Sequence, residues 1–361
     1  MRISPMIVAG GMLAMGLVLA SGCATAPAAA NECGCAPCAC GQACDCFAGR
    51  WAFNGCSLWM GVKKGADGAY TATILWGGGS PIVQDSAVVK DGALVITSCR
   101  QEGQARAYGK DLPVLKPEQK TIDHTEMRVK NGVATLVCTQ TDGNGKARGV
   151  KRTYTATRIP AIPAAPCLAS IKYGAPIDLL AGGIAAWEPM GDAAKRHFGW
   201  TLKDGVLSNR IARKPDGTPK HGDLNIRTKR ADFTDFKISY DVRVLPNCNS
   251  GVYLRGIYEL QVLDSYGKPV NCHNMAALYG RVTPKVAAEK PANEWQHVDA
   301  ILCDRHVTVV LNGQTIIDNA PIEGVTGGAI TSNEFVPGPI YLQGDHSDAD
   351  YRNMVLTPIV K

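Results

Sequence analysis

The sequence predicts an all-β protein built in two units, a smaller N-terminal antiparallel β domain followed by a C-terminal two-sheet jelly-roll sandwich. Three observations predict it. Apolar and polar residues alternate with period two through short runs such as Phe236-Lys237-Ile238-Ser239-Tyr240-Asp241-Val242-Arg243-Val244, a pattern that lays one face of a strand on a core. Asn131-Gly132 and Asn312-Gly313 separate such runs, and the central residues of a two-residue hairpin turn need the positive φ that Asn and Gly tolerate. No helix-period run exceeds two or three turns from Ile177 onward, so many strands must supply the layers of that unit.

The elements follow in order. Arg2, the apolar stretch from Met6 to Ala20 and the sequence Ala20-Ser21-Gly22-Cys23 read as a lipoprotein signal peptide over residues 1–22, with Cys23 the lipidated residue of the mature chain. Cleavage of an ordinary secretory signal near Ala28 to Ala30 is the alternative, and both export the protein. A diacylglycerol thioether plus an N-acyl chain anchors stably where one chain would not, and Ala24 after the cysteine points to the outer membrane. Residues 23–46 form a tether that carries Cys33, Cys35, Cys38, Cys40, Cys44 and Cys46, read as a disulfide knot or oxidised linker ahead of a thiophilic metal site. Residues 47–158 form the small β-rich domain, sandwich or barrel, in which Trp51, Trp59 and Trp76 are core residues ahead of a ligand-stacking surface. The Pro/Ala-rich segment 159–174 is a semi-rigid linker, and residues 175–361 form the sandwich.

Of the 361 residues 14 are cysteines, and the formal net charge of +6 is spread without a basic run. That distribution excludes a nucleic-acid partner. In an exported protein the cysteines become disulfide candidates, Cys99 with Cys138 and Cys248 with Cys272. No Gly-rich strand-to-helix turn appears, so no nucleotide cofactor is expected.

Chemistry concentrates in Asn249-Ser250-Gly251-Val252-Tyr253-Leu254-Arg255-Gly256-Ile257-Tyr258-Glu259-Leu260-Gln261-Val262-Leu263-Asp264-Ser265. If the chain turns at Gly256-Ile257, Tyr253, Arg255, Glu259 and Gln261 project from one sheet face. A cation, a carboxylate, an amide and a phenol together suit sugar hydroxyls, and a carboxylate beside an arginine is a base with an anion stabiliser. The same spacing also fits a solvent-facing strand pair with a cross-strand ion pair. Further on, Tyr341, Gln343 and Asp345 share a face that ends at His346, the histidine most suited to a site.

These segments, with Ala277-Leu278-Tyr279-Gly280, Glu294-Trp295-Gln296, Val307-Thr308-Val309-Val310-Leu311-Asn312-Gly313, Gly338-Pro339-Ile340-Tyr341-Leu342-Gln343 and Tyr351-Arg352-Asn353, resemble the 3-keto-disaccharide hydrolase family, also described as 3-keto-glucoside 1,2-lyases and 3-keto-2-hydroxy-glucal hydratases. The resemblance covers about residues 175–361. The closing motif departs from the family in the run Gln343-Gly344-Asp345-His346-Ser347.

The resemblance implies a concanavalin-like jelly roll, periplasmic or surface-exposed, that cleaves oxidised glycosides. A ketone at C3 acidifies the C2 proton, so a base can form an enolate that expels the C1 aglycone, and hydration completes net hydrolysis. On this reading Glu259 or His346 is the base or acid and Arg255 stabilises the oxyanion. Tyr253, Gln261, Tyr279 and Gln343 bind hydroxyls, with Asp264 a second carboxylate that parity turns away unless a bulge intervenes. A divalent metal on Glu259, Asp264 or His346 could replace Arg255. A separate glucoside 3-dehydrogenase is the implied upstream partner. A non-catalytic glycan-binding module and a structural envelope lipoprotein are the competing readings.

Overall fold

The computed structural model describes residues 45–361 apart from residue 221. The expected signal peptide, the lipidation site Cys23 and the cysteines from Cys33 to Cys44 lie outside the described residues. Strands β1 (Gly49–Phe53), β2 (Trp59–Lys64), β3 (Tyr70–Leu75), β4 (Ile82–Val83), β5 (Ser86–Lys90), β6 (Ala93–Cys99), β7 (Ile122–Lys130), β8 (Val133–Thr141) and β9 (Ala147–Ile159) form one sheet. Its order is β4-β3-β2-β1-β9-β8-β7-β6-β5, and every pairing in it is antiparallel. The Asn131-Gly132 turn between β7 and β8 takes the expected positive φ, 50° and 75°. The ends of the sheet are stitched together where the amide of Gln84 donates to Ala72 of β3 and that of Asp85 to Thr97 of β6, which curls it towards a barrel. Helix α1 (Arg100–Tyr108) leaves β6 and stops at Gly109 in the left-handed region, as glycine after a helix commonly does.

From Lys172 the chain adds β10 (Lys172–Tyr173), β11 (Ile177–Asp178), β12 (Trp187–Pro189), β13 (Trp200–Lys203), β14 (Val206–Asn209), β15 (Ile226–Thr228), β16 (Phe236–Val244), β17 (Asn249–Leu254), β18 (Tyr258–Leu263), β19 (Trp295–Cys303), β20 (His306–Leu311), β21 (Gln314–Pro321), β22 (Tyr341–Leu342) and β23 (Ala349–Val360). Two sheets face each other, one in the order β13-β14-β23-β16-β19-β20-β21 with β10 and β11 also on β23, the other β12-β15-β22-β17-β18. This is the jelly-roll sandwich. In β16, Phe236, Ile238, Tyr240, Val242 and Val244 are buried while the residues between them reach outward. β17 and β18 differ, being buried on both faces. One face meets the core and the other lies under covering loops.

The first sheet packs against the sandwich. Trp59, Leu75 and Ile159 belong to the same buried cluster as the sandwich core. The Arg281 guanidinium lies 4.2 Å from the centre of the Trp59 ring, and Ser332 donates to the carbonyls of Phe53 and Cys56. The proline-rich segment is fastened to the sandwich, with Arg305 on the Pro160 carbonyl and Asn319 on that of Pro166. Its last residues, expected as linker, pair with β23 as β10.

The expected disulfides do not form. Cys99, Cys138, Cys248 and Cys272 are free thiols. Cys99 lies opposite Ile122 and Cys138 opposite Thr125, on the two sides of β7, two strand spacings (~10 Å) across and three residues (~10 Å) along it, beyond disulfide reach. Cys248 sits in the sandwich core beside Ser347, and burial pushes its thiol up to about 11. Cys272 lies in the loop before Tyr279, beside His273.

Candidate active site

The five-stranded sheet presents a polar concave face because register places its chemistry-bearing residues side by side. Tyr253 pairs with Glu259 and Gly251 with Gln261 across β17 and β18, while Tyr253 pairs with Tyr341 across β17 and β22. The amide of Gln343 donates to the Gly251 carbonyl, so Gln343 continues the row. A cavity of about 420 Å³ stands on this floor, lined by Glu259, Gln261, Tyr253, Tyr279, Tyr341, Gln343, Asp345, His346, Asn225, Asn249 and Met190, with Gly78, Gly79 and residues 327–330 as its rim. That size is typical of small-molecule sites.

Glu259 is 3% exposed. Burial drives its carboxyl up to about 8, reinforced by the charge of Asp345 and opposed by the Tyr253 hydroxyl, which donates to Oε2 at 2.8 Å. A buried carboxyl held near neutrality is a group tuned for proton transfer. Tyr253 stacks on Tyr341 with centroids 4.1 Å apart and planes 12° from parallel, which fixes the phenol that holds Glu259. The Tyr341 hydroxyl accepts from Asn225 at 3.1 Å, leaving its own proton free, and burial raises its pKa. His346 Nδ1 meets Asp345 Oδ1 at 2.6 Å, and this hydrogen bond lifts the imidazole above its ordinary value against partial burial. The Gln343 amide oxygen is buried without a partner, poised for a ligand donor.

The absence of a side chain at Gly251 is a requirement of the site. A Cβ there would overlap Oε1 of Glu259. Gly251→Ala will therefore push the carboxylate aside into the cavity, and a displacement of about 1 Å costs about 10² in rate. Steady-state kinetics should show that fall with little change in Tm; an unchanged kcat/KM would mean that the carboxylate position is immaterial.

Of the residues the sequence suggested, Glu259, His346, Tyr253, Gln261, Tyr279 and Gln343 converge on the cavity and two do not. Arg255 does not share the floor. The connection between β17 and β18 has three residues, Arg255, Gly256 and Ile257, and Arg255 has φ +55°, so the alternation ends at Leu254. Its guanidinium donates instead to the carbonyls of Glu334 and Val336. Asp264 is likewise outside, its carboxylate accepting the amide of Asn247. Glu259, Asp264 and His346 therefore do not form a shared ligand set. Among the described residues the one cluster of three prospective metal ligands is Asp235, Cys303 and Asp304, and Lys361 bridges its two carboxylates.

Sequence reasoning missed the contribution of the N-terminal sheet. Gly78 and Gly79 line the cavity, the amide of Gly328 donates to the Gly77 carbonyl at 2.7 Å, and Ser80 Oγ meets His273 Nε2 at 2.6 Å. Tyr108 of α1 stacks on His273, centroids 5.1 Å apart, and its hydroxyl lies 3.5 Å from that of Tyr279. No local pattern announces contacts between residues more than 150 positions apart.

A family model described as the 3-keto-alpha-glucoside-1,2-lyase-like domain matches residues 177–357, half of the chain. A search among curated proteins found no match. Among solved structures the chain is similar to a presumptive glycosyl hydrolase from Parabacteroides distasonis ATCC 8503, at 19% identity and a TM-score of 0.40 over 50% of this chain and 92% of that one. A second structure so described from the same organism matches at 20% identity and a TM-score of 0.38, over 51% and 98% of the two chains. Carbohydrate binding module CBM66 from Bacillus subtilis matches at 13% identity and a TM-score of 0.31, over 47% and 93%.

Proposed function

The chain belongs to the 3-keto-alpha-glucoside-1,2-lyase-like family, and from that premise we propose that it cleaves 3-keto-glycosides by removing the C2 proton and expelling the C1 substituent. The observation that carries this reading is Glu259, a carboxyl buried on the floor of a polar cavity with its pKa near 8. A carboxylate of that basicity is far better matched to a proton beside a ketone than an ordinary one. Glu259 takes the C2 proton, and the C2–H electron pair moves to give an enolate across C2, C3 and the ketone oxygen. Tyr341, whose hydroxyl accepts from Asn225, takes the role first assigned to Arg255 and donates to the enolate oxygen. As the enolate collapses, the C1–O bond breaks and His346, whose protonated form Asp345 favours, gives its proton to the leaving oxygen. Gln261, Gln343 and Tyr279 hold ring hydroxyls, and water added across the new double bond completes net hydrolysis.

The substrate requires a preceding oxidation of the C3 hydroxyl, so a glucoside 3-dehydrogenase is the reaction class upstream. The same reading places the protein outside the cytoplasm, held to a membrane through Cys23; mass spectrometry of the mature N-terminus for a diacylglyceryl cysteine tests that part.

The decisive assay offers the protein a chromogenic glucoside and its 3-keto derivative, each with and without a chelator. Release from the keto form alone is the expected result, and the chelator arm separates a site of side chains from one that holds a metal ion. Binding of both compounds with release from neither would overturn the enzymatic reading in favour of a glycan-binding module.

A further inference from the structure

We infer that the N-terminal sheet carries a second carbohydrate subsite, which holds the leaving portion of a glycoside whose oxidised ring stands over Glu259; the inference rests on the proposed elimination. A separate cavity of about 340 Å³ opens on that sheet, lined by Trp76, Gln84, Ser98, Arg100, Arg152 and Tyr154 among others. Gly78 lines both this cavity and the one over Glu259. A Cβ built on Gly78 meets nothing within 4 Å, so the ridge between the two spaces is bare backbone with open room above it. A ligand can lie across it.

The lining suits a polyhydroxylated ring. Trp76 is half-buried, unlike Trp51 and Trp59, which are 0% and 2% exposed core residues, and its indole offers an apolar platform of the kind that supports the C–H face of a sugar. Arg100 is held by Asp123 through two hydrogen bonds, 3.0 and 2.7 Å, and Gln140 steadies the same carboxylate at 2.8 Å. Planar donors fixed in this way are preorganised for hydroxyl acceptors. Ser98 is 3% exposed and its hydroxyl has no partner. A buried hydroxyl left unsatisfied in the wall of a cavity calls for a ligand group. A smaller neighbouring space, about 200 Å³, shares Trp76, Arg100, Asp123, Arg152 and Tyr154 and extends the groove away from Glu259.

The two subsites keep a fixed separation. The Tyr108–His273 stack and the Ser80–His273 hydrogen bond lock the ridge loop to the loop that bears Tyr279, and a Cβ on Gly327 would overlap the Gly79 backbone. A leaving group with a second sugar is thus favoured over a small alkyl one.

The test compares a 3-keto-disaccharide with methyl 3-keto-glucoside on the full chain, its Trp76→Ala variant and its Arg152→Ala variant. Arg152 is exposed, which guards against loss of fold in the tryptophan variant. The wild type should prefer the disaccharide in kcat/KM by about tenfold or more, and that preference should collapse in both variants, as expected for loss of contacts to the leaving portion. A preference that survives both substitutions, or is absent from the wild type, overturns the subsite. If neither compound is cleaved, the elimination reading falls, and calorimetric titration with the same two compounds still decides: disaccharide binding about tenfold weaker in the variants supports the subsite and equal binding overturns it.

Discussion

Glu259→Gln will lower kcat/KM for a 3-keto-glycoside by about 10³, the usual worth of a general base, while raising thermal stability at alkaline pH. The two effects share one cause. In the folded protein the carboxyl titrates near 8, well above an exposed glutamate, so between about pH 4.5 and 8 the unfolded chain has released a proton that the native chain still holds. Stability falls as pH rises wherever the native state binds more protons. Glutamine keeps the shape and removes that penalty, so the Tm difference between variant and wild type should widen in the variant's favour from pH 5 to 8.

The rate follows the same titration with opposite sense. Below pH 8 the ionised fraction of Glu259 grows about tenfold per pH unit, while His346 loses its proton above its own raised pKa. Activity needs ionised Glu259 and protonated His346 together, so the profile falls at low pH, where Glu259 holds its proton, and at high pH, where His346 has lost its own. In His346→Gln the alkaline limb should vanish, and the residual activity should climb through pH 8 to a plateau. A profile for that variant that still declines above pH 8 would mean that His346 is not the acid.

Glu334→Ala will cost about 1–3 kcal/mol, the penalty of leaving the buried Tyr258 hydroxyl without its acceptor. Glu334 is 2% exposed and accepts the Tyr258 hydroxyl at 2.7 Å. Burial pushes its carboxyl up, against the pull of Tyr258 and of the charges on Arg50, Arg305 and Arg281. Arg281 is itself driven down to about 10 by burial and leans on Glu334, while its guanidinium donates to the Val325 carbonyl and caps Trp59. Since Arg50 belongs to β1 and the others to the sandwich, the cluster joins the first sheet to the second unit. At about 1.5 °C per kcal/mol for a chain of this length, since the entropy of unfolding grows with the number of residues, differential scanning calorimetry should record a fall in Tm of roughly 1.5–4.5 °C. An unchanged Tm would show that the Tyr258 hydroxyl finds another acceptor without the carboxylate.

Legibility in the sequence followed the range of the interactions. The strand Phe236–Val244 could be read because its alternation is local and one face is core, and the Asn312-Gly313 turn because its φ values of 51° and 85° are a property of two adjacent residues. Glu259, Gln261 and Tyr253 were found by counting parity along strands. Arg255 was misplaced by the same counting, because a third loop residue breaks the alternation and nothing in the sequence distinguishes a two-residue from a three-residue turn there. Helix α1 was invisible because its only buried residue is Gly103, so it has no apolar stripe for a period-3.6 search to find. The role of Gly78 depends on where a distant sheet docks, which no local rule encodes.

The position of β23 has a kinetic consequence. It is an interior strand of the larger sheet, pairing with β14, β16, β10 and β11, and all its partners lie more than one hundred residues earlier in the chain. Closing such contacts requires long loops to be ordered before any pairing is gained, which slows folding. Until residues 349–360 arrive, β14 and β16 stand as open edges that can recruit other chains. The sheet is completed from its middle, and the nascent protein is most vulnerable to aggregation just before its last strand is set in place.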